Sequence, residues 1–404
     1  MSDLNKLARN VQGKKAGIGP DIQINDFNET ASELSYKKDL GDIPEKDTKE
    51  MRQAGMDLSG KSRSGSFVQI DHSVVHCNVT QPGIEILDIN HAEEKYDWLH
   101  NYMWNAVTLD KDKYTAQAQL KRNHGYFIRS LPGSKTTFPV QACLYMSQDK
   151  LVQSVHNIII AEEGSELHII TGCASGHGIE SGLHIGISEF YIKPGAKITF
   201  TMIHNWSEKL AIRPRSGTIV EDDGIFLSNY VCMKPVKTLQ MYPTTELRGC
   251  NAMARYNSIL VSTAGSNIDA GAEVTLKGEK SKAEIISRTI STGGTLTARG
   301  RLIGEIASAK GHLECRGLIL GKEGSIRAIP ELEGNVNGVD LSHEAAVGKI
   351  AQEEIEYLMA RGLNEDEATS VIVRGFLNVD IVGLPPALKN ELDKAIQASE
   401  EDLF

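Results

Sequence analysis

None of the six cysteines (Cys77, Cys143, Cys173, Cys232, Cys250 and Cys315) has another at Cys-x-x-Cys spacing. That argues against a disulfide framework and a zinc ribbon, and for free thiols in a reducing cytoplasm. Basic charge is also short: 43 Lys and Arg stand against 53 Asp and Glu, a formal net charge of −10. A phosphate backbone needs a basic surface, so nucleic acid is not an expected partner unless through a local patch. Apolar runs such as NIIIA (157–161) are far shorter than the ~20 residues that cross a bilayer. The opening MSDLNKLARNVQGKK lacks the apolar stretch of a secretory signal. What remains is a chain of 404 residues, 40% hydrophobic and 24% charged, long enough for a substantial core. A soluble, cytoplasmic protein with no membrane partner is the expectation.

Three regions differ in texture. Residues 1 to about 60 are polar with weak periodicity, which predicts an extended or partly helical arm. SFVQIDHSVVHCNV (66–79) alternates and is β-branched, predicting a strand pair, and HAEEKYDWLHNYMWNAV (91–107) has helical spacing. From about Gly125 to Leu341 short runs recur, each introduced by small residues: EGSELHII, PGAKITF, AGAEVTL, SKAEIIS, GGTLTA, KGHLECRG and EGSIRAI. No helices of βαβ length intervene, and the period is too irregular for a strict hexapeptide repeat. Stacked short strands in a β-solenoid fit best, with a β-sandwich as the competing architecture. Beyond Leu341, IAQEEIEYLMARGL and NEDEATSVIVRGF read as two helices. Gly362 ends the first, and Asn364 with Glu367 forms a capping box for the second. After Pro385-Pro386, LKNELDKAIQ reads as a third. The expected organisation is an N-terminal region over 1–115, a β core over 116–341 and a helical end over 342–404.

Several motifs invite a chemical reading. GMDLSGKS (55–62) fits the P-loop pattern, yet polar DTKEMRQA precedes it and β-like RSGSFVQID follows. A phosphate cradle needs a buried strand before and a helix after, so the motif is read as a turn entering a strand. His72, His76 and Cys77 share a stretch of strand, where residues four apart lie too far apart to chelate, so they are expected to be surface or core groups. Cys173 lies in TGCASGHGIESGLH, rich in Gly and Ser, with His177 and His184 nearby; the glycines either let backbone pass close to another group or make a long turn, and a cysteine in a flexible loop is the default reading. His204-Asn205-Trp206 closes the strand ITFTMIHNW, with the tryptophan expected to cap the core.

Cys315 and His343 are the more interesting pair. Alternation places Cys315 with Leu313 and Ile319, opposite His312, Glu314 and Arg316, and gives His343 the parity of Val339 and Leu341. Both then face a core, where a cysteine is usually inert. Their separation of 28 residues is one or two turns of a solenoid, however, and stacked turns would bring thiolate and imidazole together. With the neighbouring Glu344 they form a ligand set suited to iron–sulfur or transition-metal chemistry.

Beyond single motifs, an ordered set of segments resembles the SufB/SufD family, the scaffold proteins of the SUF iron–sulfur cluster assembly machinery. The segments are GYFIRSLPGSKTTFPVQACLYM, IIIAEEGSELHIITGCASG, ISEFYIKPGAKITFTMIHNWSE, YPTTELRGCNAMARYNSIL, LECRGLILG and HEAAVGKIAQEEIEYLMARGLNEDEATSVIVRGF. They span about Arg63 to Leu388 in the family's order.

The resemblance implies a right-handed parallel β-helix between an N-terminal helical region and a C-terminal helical subdomain. It implies dimerisation through the β-helix and docking of a SufC-type ABC ATPase on the C-terminal helices, so ATP would bind the partner and not this chain. Cys315 matches the family position for a nascent, transient iron–sulfur cluster, Cys173 a cysteine implicated in carrying sulfur, and His343 and Glu344 further candidate ligands at the dimer interface. A sulfur donor and apo-protein acceptors would be further partners. Ser342 departs from the SufB-like acidic residue, while Glu344 departs from SufD-like chains. This intermediate pattern points to a homodimer supplying its ligands by symmetry. The expected role is a scaffold and not an enzyme. Two alternatives are an inert SufD-like partner and a β-solenoid carbohydrate-active enzyme using carboxylates such as Glu305, Glu314, Glu331 and Glu333.

Overall fold

The computed structural model describes residues 2–234, 236–320 and 322–377. The short alternating runs are strands of a β-solenoid of about eight turns, with helices at the ends. One sheet is continuous along the molecule, from Gly65–Ile70 and Val140–Met146 through Glu166–Ser175, Lys197–Asn205, Ile225–Cys232, Met253–Ser262, Lys282–Ser291 and Lys310–Ile319 to Asp340–Gly348. The opposite sheet stacks Leu151–Ala161, Gly182–Ile192, Asn267–Leu276, Thr295–Gly304 and Ser325–Gly334, with shorter broken strands between them. Apart from two antiparallel pairings at the N-terminal end, the ladders are parallel.

The turns are nearly constant in length. Lys197 pairs with Ile225, Ile225 with Met253, Met253 with Lys282, Lys282 with Lys310, and Lys310 with Asp340. Each strand sends alternate residues into a shared lumen. Within Lys310–Ile319 these are Gly311, Leu313, Cys315 and Gly317. Phe190 packs its ring against Phe200 and Phe226 at centroid distances of 4.8 and 5.1 Å. Burying each such ring contributes ~2–3 kcal/mol, and the lumen is therefore the main core. Side-chain ladders reinforce the stacking: Asn257 Nδ2 donates to Asn229 Oδ1 at 2.9 Å, and Asn229 Nδ2 to Thr201 Oγ1 at 3.2 Å.

The N-terminal arm holds helices Ser2–Val11 and Glu45–Gln53, and the 66–79 stretch forms the expected antiparallel pair. The predicted helix over 91–107 is only partly formed. An α-helix covers Ile89–Lys95, a 3₁₀ turn covers Asp97–Asn101, and the chain then breaks at Trp104, whose φ is +59°. The cause is distant in sequence. The buried Glu189 carboxylate accepts the backbone N–H groups of Trp104, Asn105, Ala106 and Val107 at 2.6 to 3.0 Å, and lies 2.8 Å from His156 Nε2. Four N–H groups turned toward one carboxylate cannot also serve a helix ladder.

The GMDLSGKS stretch is a turn, as expected. Asp57 accepts from the backbone of Ser59 and Ser62, and the strand Gly65–Ile70 follows. At the other end the β pattern continues past Leu341 to Gly348. Helices Gln352–Met359 and Glu365–Leu377 follow, with Gly362 at φ +101° between them and reciprocal Asn364–Glu367 hydrogen bonds at 2.8 Å. Val373 and Leu377 pack on Val231, Ile259, Ile290 and Leu318, outside the continuous sheet. The third predicted helix, LKNELDKAIQ, lies outside the described residues.

Candidate functional site

Two places gather the chemistry-bearing side chains. The first is the mouth of the solenoid at its C-terminal end. In the ladder between the last two strands of the continuous sheet, Leu313 stands opposite His343, Glu314 opposite Glu344 and Cys315 opposite Ala345. Cys315 and His343 therefore share the inward face as diagonal neighbours, roughly 8 Å apart by strand geometry. They are one turn apart in the chain. The parity read from sequence holds, and its meaning becomes clear: the inward face is the lumen. Cys315 is 2% exposed, and burial, with the Glu314 charge second, pushes its thiol up to about 11. His343 is exposed, because its strand has a ladder partner on one side only among the described residues.

Glu344 points the other way. On the outer face its carboxylate lies 3.3 Å from Arg316, which also pairs with Glu314 at 2.6 Å, while Arg288 holds Glu314 at 2.8 Å. One chain thus brings the thiol and the imidazole together and leaves the carboxylate across the strand. Among the described residues no three His, Cys, Asp or Glu side chains are close enough to hold a metal ion. The carboxylates considered for a carbohydrate-active enzyme are partly committed elsewhere, since Glu314 belongs to the arginine ladder and Glu333 pairs with Arg301 at 2.7 Å.

The second place lies deeper in the lumen. Cys173 is not in a flexible loop. It is a fully buried, inward residue of Glu166–Ser175, directly opposite His204 on the next strand. Of the two readings open for the glycines there, Gly172 follows close approach and not a turn: a Cβ on it would meet the Ala54 carbonyl oxygen at 2.5 Å. Burial raises the Cys173 thiol well above its ordinary value, with Cys143 adding to the shift. Tyr230 Oη lies 2.6 Å from His204 Nδ1, and Trp206 packs between His204 and His184 at centroid distances of 6.1 and 5.0 Å. Burial lowers both His184 and His204 to about 3, so both rings are neutral at physiological pH. Trp206 is indeed buried in the core, as expected.

A cavity of about 50 Å³ lies in the lumen on the turns between the two places. Its lining includes Tyr230, Ser258 and Ser287 from one sheet and Met241, Gly271 and Ala272 from the other. Tyr230 touches His204, and Ser287 stands opposite Cys315 in register. The sequence reading missed Tyr230, Ser287 and Cys232 as lumen residues. The signal available was the spacing of 28 that relates Ser287 to Cys315, as it relates Cys315 to His343.

His72 and His76 form no cluster, as expected. His72 Nε2 lies 2.8 Å from the Val152 carbonyl and His76 Nδ1 lies 3.0 Å from the Lys37 carbonyl.

Comparison with known proteins gives a consistent picture. The family model described as SUF system FeS cluster assembly, SufBD core domain, matches residues 144–376. An iron–sulfur cluster assembly SufBD family protein of Methanothermobacter thermautotrophicus (strain Winter) is 47% identical over 99% of both chains. One from Archaeoglobus fulgidus is 49% identical over 89% of this chain and 96% of its own. A more distant relative from Pyrococcus horikoshii is 29% identical over 89% of this chain and 82% of its own. No helix among the described residues is long and apolar enough to cross a membrane.

Proposed function

The chain belongs to the SufBD family of iron–sulfur cluster assembly proteins, and on that premise we propose that it is a scaffold that builds a transient cluster at the mouth of its solenoid. The observation that carries this reading is the placement of Cys315 and His343 on one inward face, one turn apart, where the lumen opens. A thiolate with weaker nitrogen or oxygen ligands suits a cluster that is later handed on. The cluster is cargo and not a resident cofactor.

A single chain supplies too few ligands, which favours a second copy completing the site. The terminal strands support this: Asp340–Gly348 leaves one edge unpaired among the described residues, and Leu332, Val336 and Val347 nearby are each 42% exposed. An edge of that kind is a template for pairing or must be covered. A symmetric partner would cover it and would bring a second thiol, imidazole and Glu344 carboxylate to the interface. Glu344 would join only by leaving Arg316, an exposed pair of small energetic weight.

Cys173 acts in this reading as a sulfur carrier, with the lumen cavity as the route toward Cys315. A SufC-type ABC ATPase docks on the C-terminal helices and supplies the ATP chemistry. Support comes from their outward faces, where Tyr357, Met359 and Val371 are exposed while Val373 and Leu377 anchor the pair to the sheet. The setting is the cytoplasm, in keeping with the free thiols.

The direct test is anaerobic reconstitution with iron and sulfide. Cys315→Ser should lose at least ~90% of the cluster absorbance while keeping the parent's secondary structure. Parent-like cluster content in that variant would overturn the ligand assignment.

A further inference from the structure

Cys232 is the one cysteine that the reading above leaves without a role although it sits in the lumen beside the sulfur route. It is fully buried, and it is the last inward residue of Ile225–Cys232. Cys173 stands opposite His204. The next ladder pairs Ile203 with Val231, so His204 and Cys232 follow as the next matched positions on their strands. Cys173, His204 and Cys232 thus form one inward column on three consecutive strands. Cys143 makes the contrast: it is equally buried, but it packs with Val68 and Tyr145 in the cluster outside the lumen.

The spacing of that column has a chemical meaning. Two strand spacings separate Cys173 from Cys232, ~9.6 Å. A persulfide on Cys173 spans nearly all of it. Laid end to end along the column, two carbon–sulfur bonds, one S–S bond of ~2.05 Å and a contact of ~3.5 Å between reacting atoms reach at most roughly 9 Å. A plain thiol on Cys173 falls short by the S–S bond, so the geometry suits transfer of a sulfur atom and not a disulfide.

We propose that Cys232 is a second sulfur-carrying thiol, which takes the outer sulfur from a persulfide on Cys173 and delivers it at the cavity leading to Cys315. The inference rests on the reading of Cys173 as a sulfur carrier. In the step, the Cys232 sulfur attacks the outer sulfur of Cys173–S–SH and forms a new S–S bond. The original S–S bond breaks, and the Cys173 sulfur leaves and takes up the proton that the Cys232 thiol gives up. Products are Cys173–SH and Cys232–S–SH, with no net oxidation and no proton drawn from solvent. His204 lies between the two thiols. Its Nδ1 is held by the Tyr230 hydroxyl, and Nε2 is the nitrogen left to pass the proton. Tyr230, the inward residue two positions before Cys232 on the same strand, lines the cavity, so a sulfur carried on Cys232 stands next to the residue at that cavity's near end.

The test uses the full-length protein under anaerobic conditions, loaded with inorganic polysulfide. It is then alkylated in denaturant, and persulfides are mapped by mass spectrometry. The parent should carry persulfide at Cys173, Cys232 and Cys315. Cys232→Ser should keep loading at Cys173 and lose it at Cys315 at least tenfold, whereas Cys143→Ser should match the parent. Absence of persulfide at Cys232 in the parent would overturn the proposal, which keeps it testable even if the serine variant folds poorly. Loading of Cys315 within twofold of the parent in Cys232→Ser would overturn it as well. Parent-like loading of Cys232 and Cys315 in Cys173→Ser would instead refute the carrier role of Cys173 on which the proposal stands.

Discussion

At the first turn of the solenoid the chain doubles back as antiparallel pairs, Gly65–Ile70 with Ser73–Val79 and Ile84–Asp88 with Tyr126–Ser130. Phe67, Ile84, Ile86 and Tyr126 from these pairs fill the lumen there. At the last turn, Ser325–Gly334 and Asp340–Gly348 carry the same alternation and lack any such cover among the described residues; every position in them is exposed or half-buried. Alternation alone, then, does not make a residue part of the core. A lumen position becomes buried only when a further turn or a cap lies over it, and Cys315 and His343, one turn apart on the same face, fall on either side of that line.

The sharpest way to break the contrast is to unfasten the closed end. Glu189→Ala would leave four N–H groups and His156 without their acceptor in a dry site. We expect a loss of about 3–5 kcal/mol in denaturant unfolding, as for other broken buried networks. A loss below about 1 kcal/mol would show that the N-terminal segment is held by other contacts.

A smaller, graded effect is expected from pH. His184 and His204 keep folded values near 3, against an unfolded value of ~6.5. Between those limits the unfolded chain binds protons that the folded chain does not. Stability from these rings is therefore complete above pH ~6.5 and falls as pH drops toward 3, by up to ~1.4 kcal/mol per pH unit for each ring. His204→Gln should reduce the acid slope of the unfolding free energy by about one ring's share, and an unchanged slope would contradict the neutral, buried placement.

The smallest effect belongs to the open end. Glu344→Ala removes only its exposed pair with Arg316, which keeps Glu314, and should change stability by less than ~0.5 kcal/mol. A loss several times larger in the isolated protein would mean that the outer arginine ladder, and not the lumen, holds the last turn in place.

Much of this was legible in the chain. The solenoid follows from short runs such as AGAEVTL and SKAEIIS, because small residues at turns and alternating apolar residues dictate stacked strands with one shared inside. The inward parity of Cys315 and His343 followed from the same rule. Two readings failed for reasons that local sequence does not carry. The Gly- and Ser-rich stretch around Cys173 looked like a flexible loop, and the close approach that Gly172 admits is to Ala54, far away along the chain. The helix expected to run to Val107 stops early because Glu189 captures the backbone there. Exposure of His343 was likewise invisible, since it depends on which turn is the last.

The length of that last turn has its own consequence. Lys282 reaches its partner Lys310 after 28 residues, whereas Lys310 reaches Asp340 after 30. The two added residues slide the final strand by one alternation step, so Ala345 and not His343 lies beside Cys315. The distance between thiol and imidazole is therefore written in loop length, in the manner of a vernier. In a turn that still takes 30 residues, two residues inserted before the final strand would set His343 directly opposite Cys315 without altering either one, and two removed would move it a further step away.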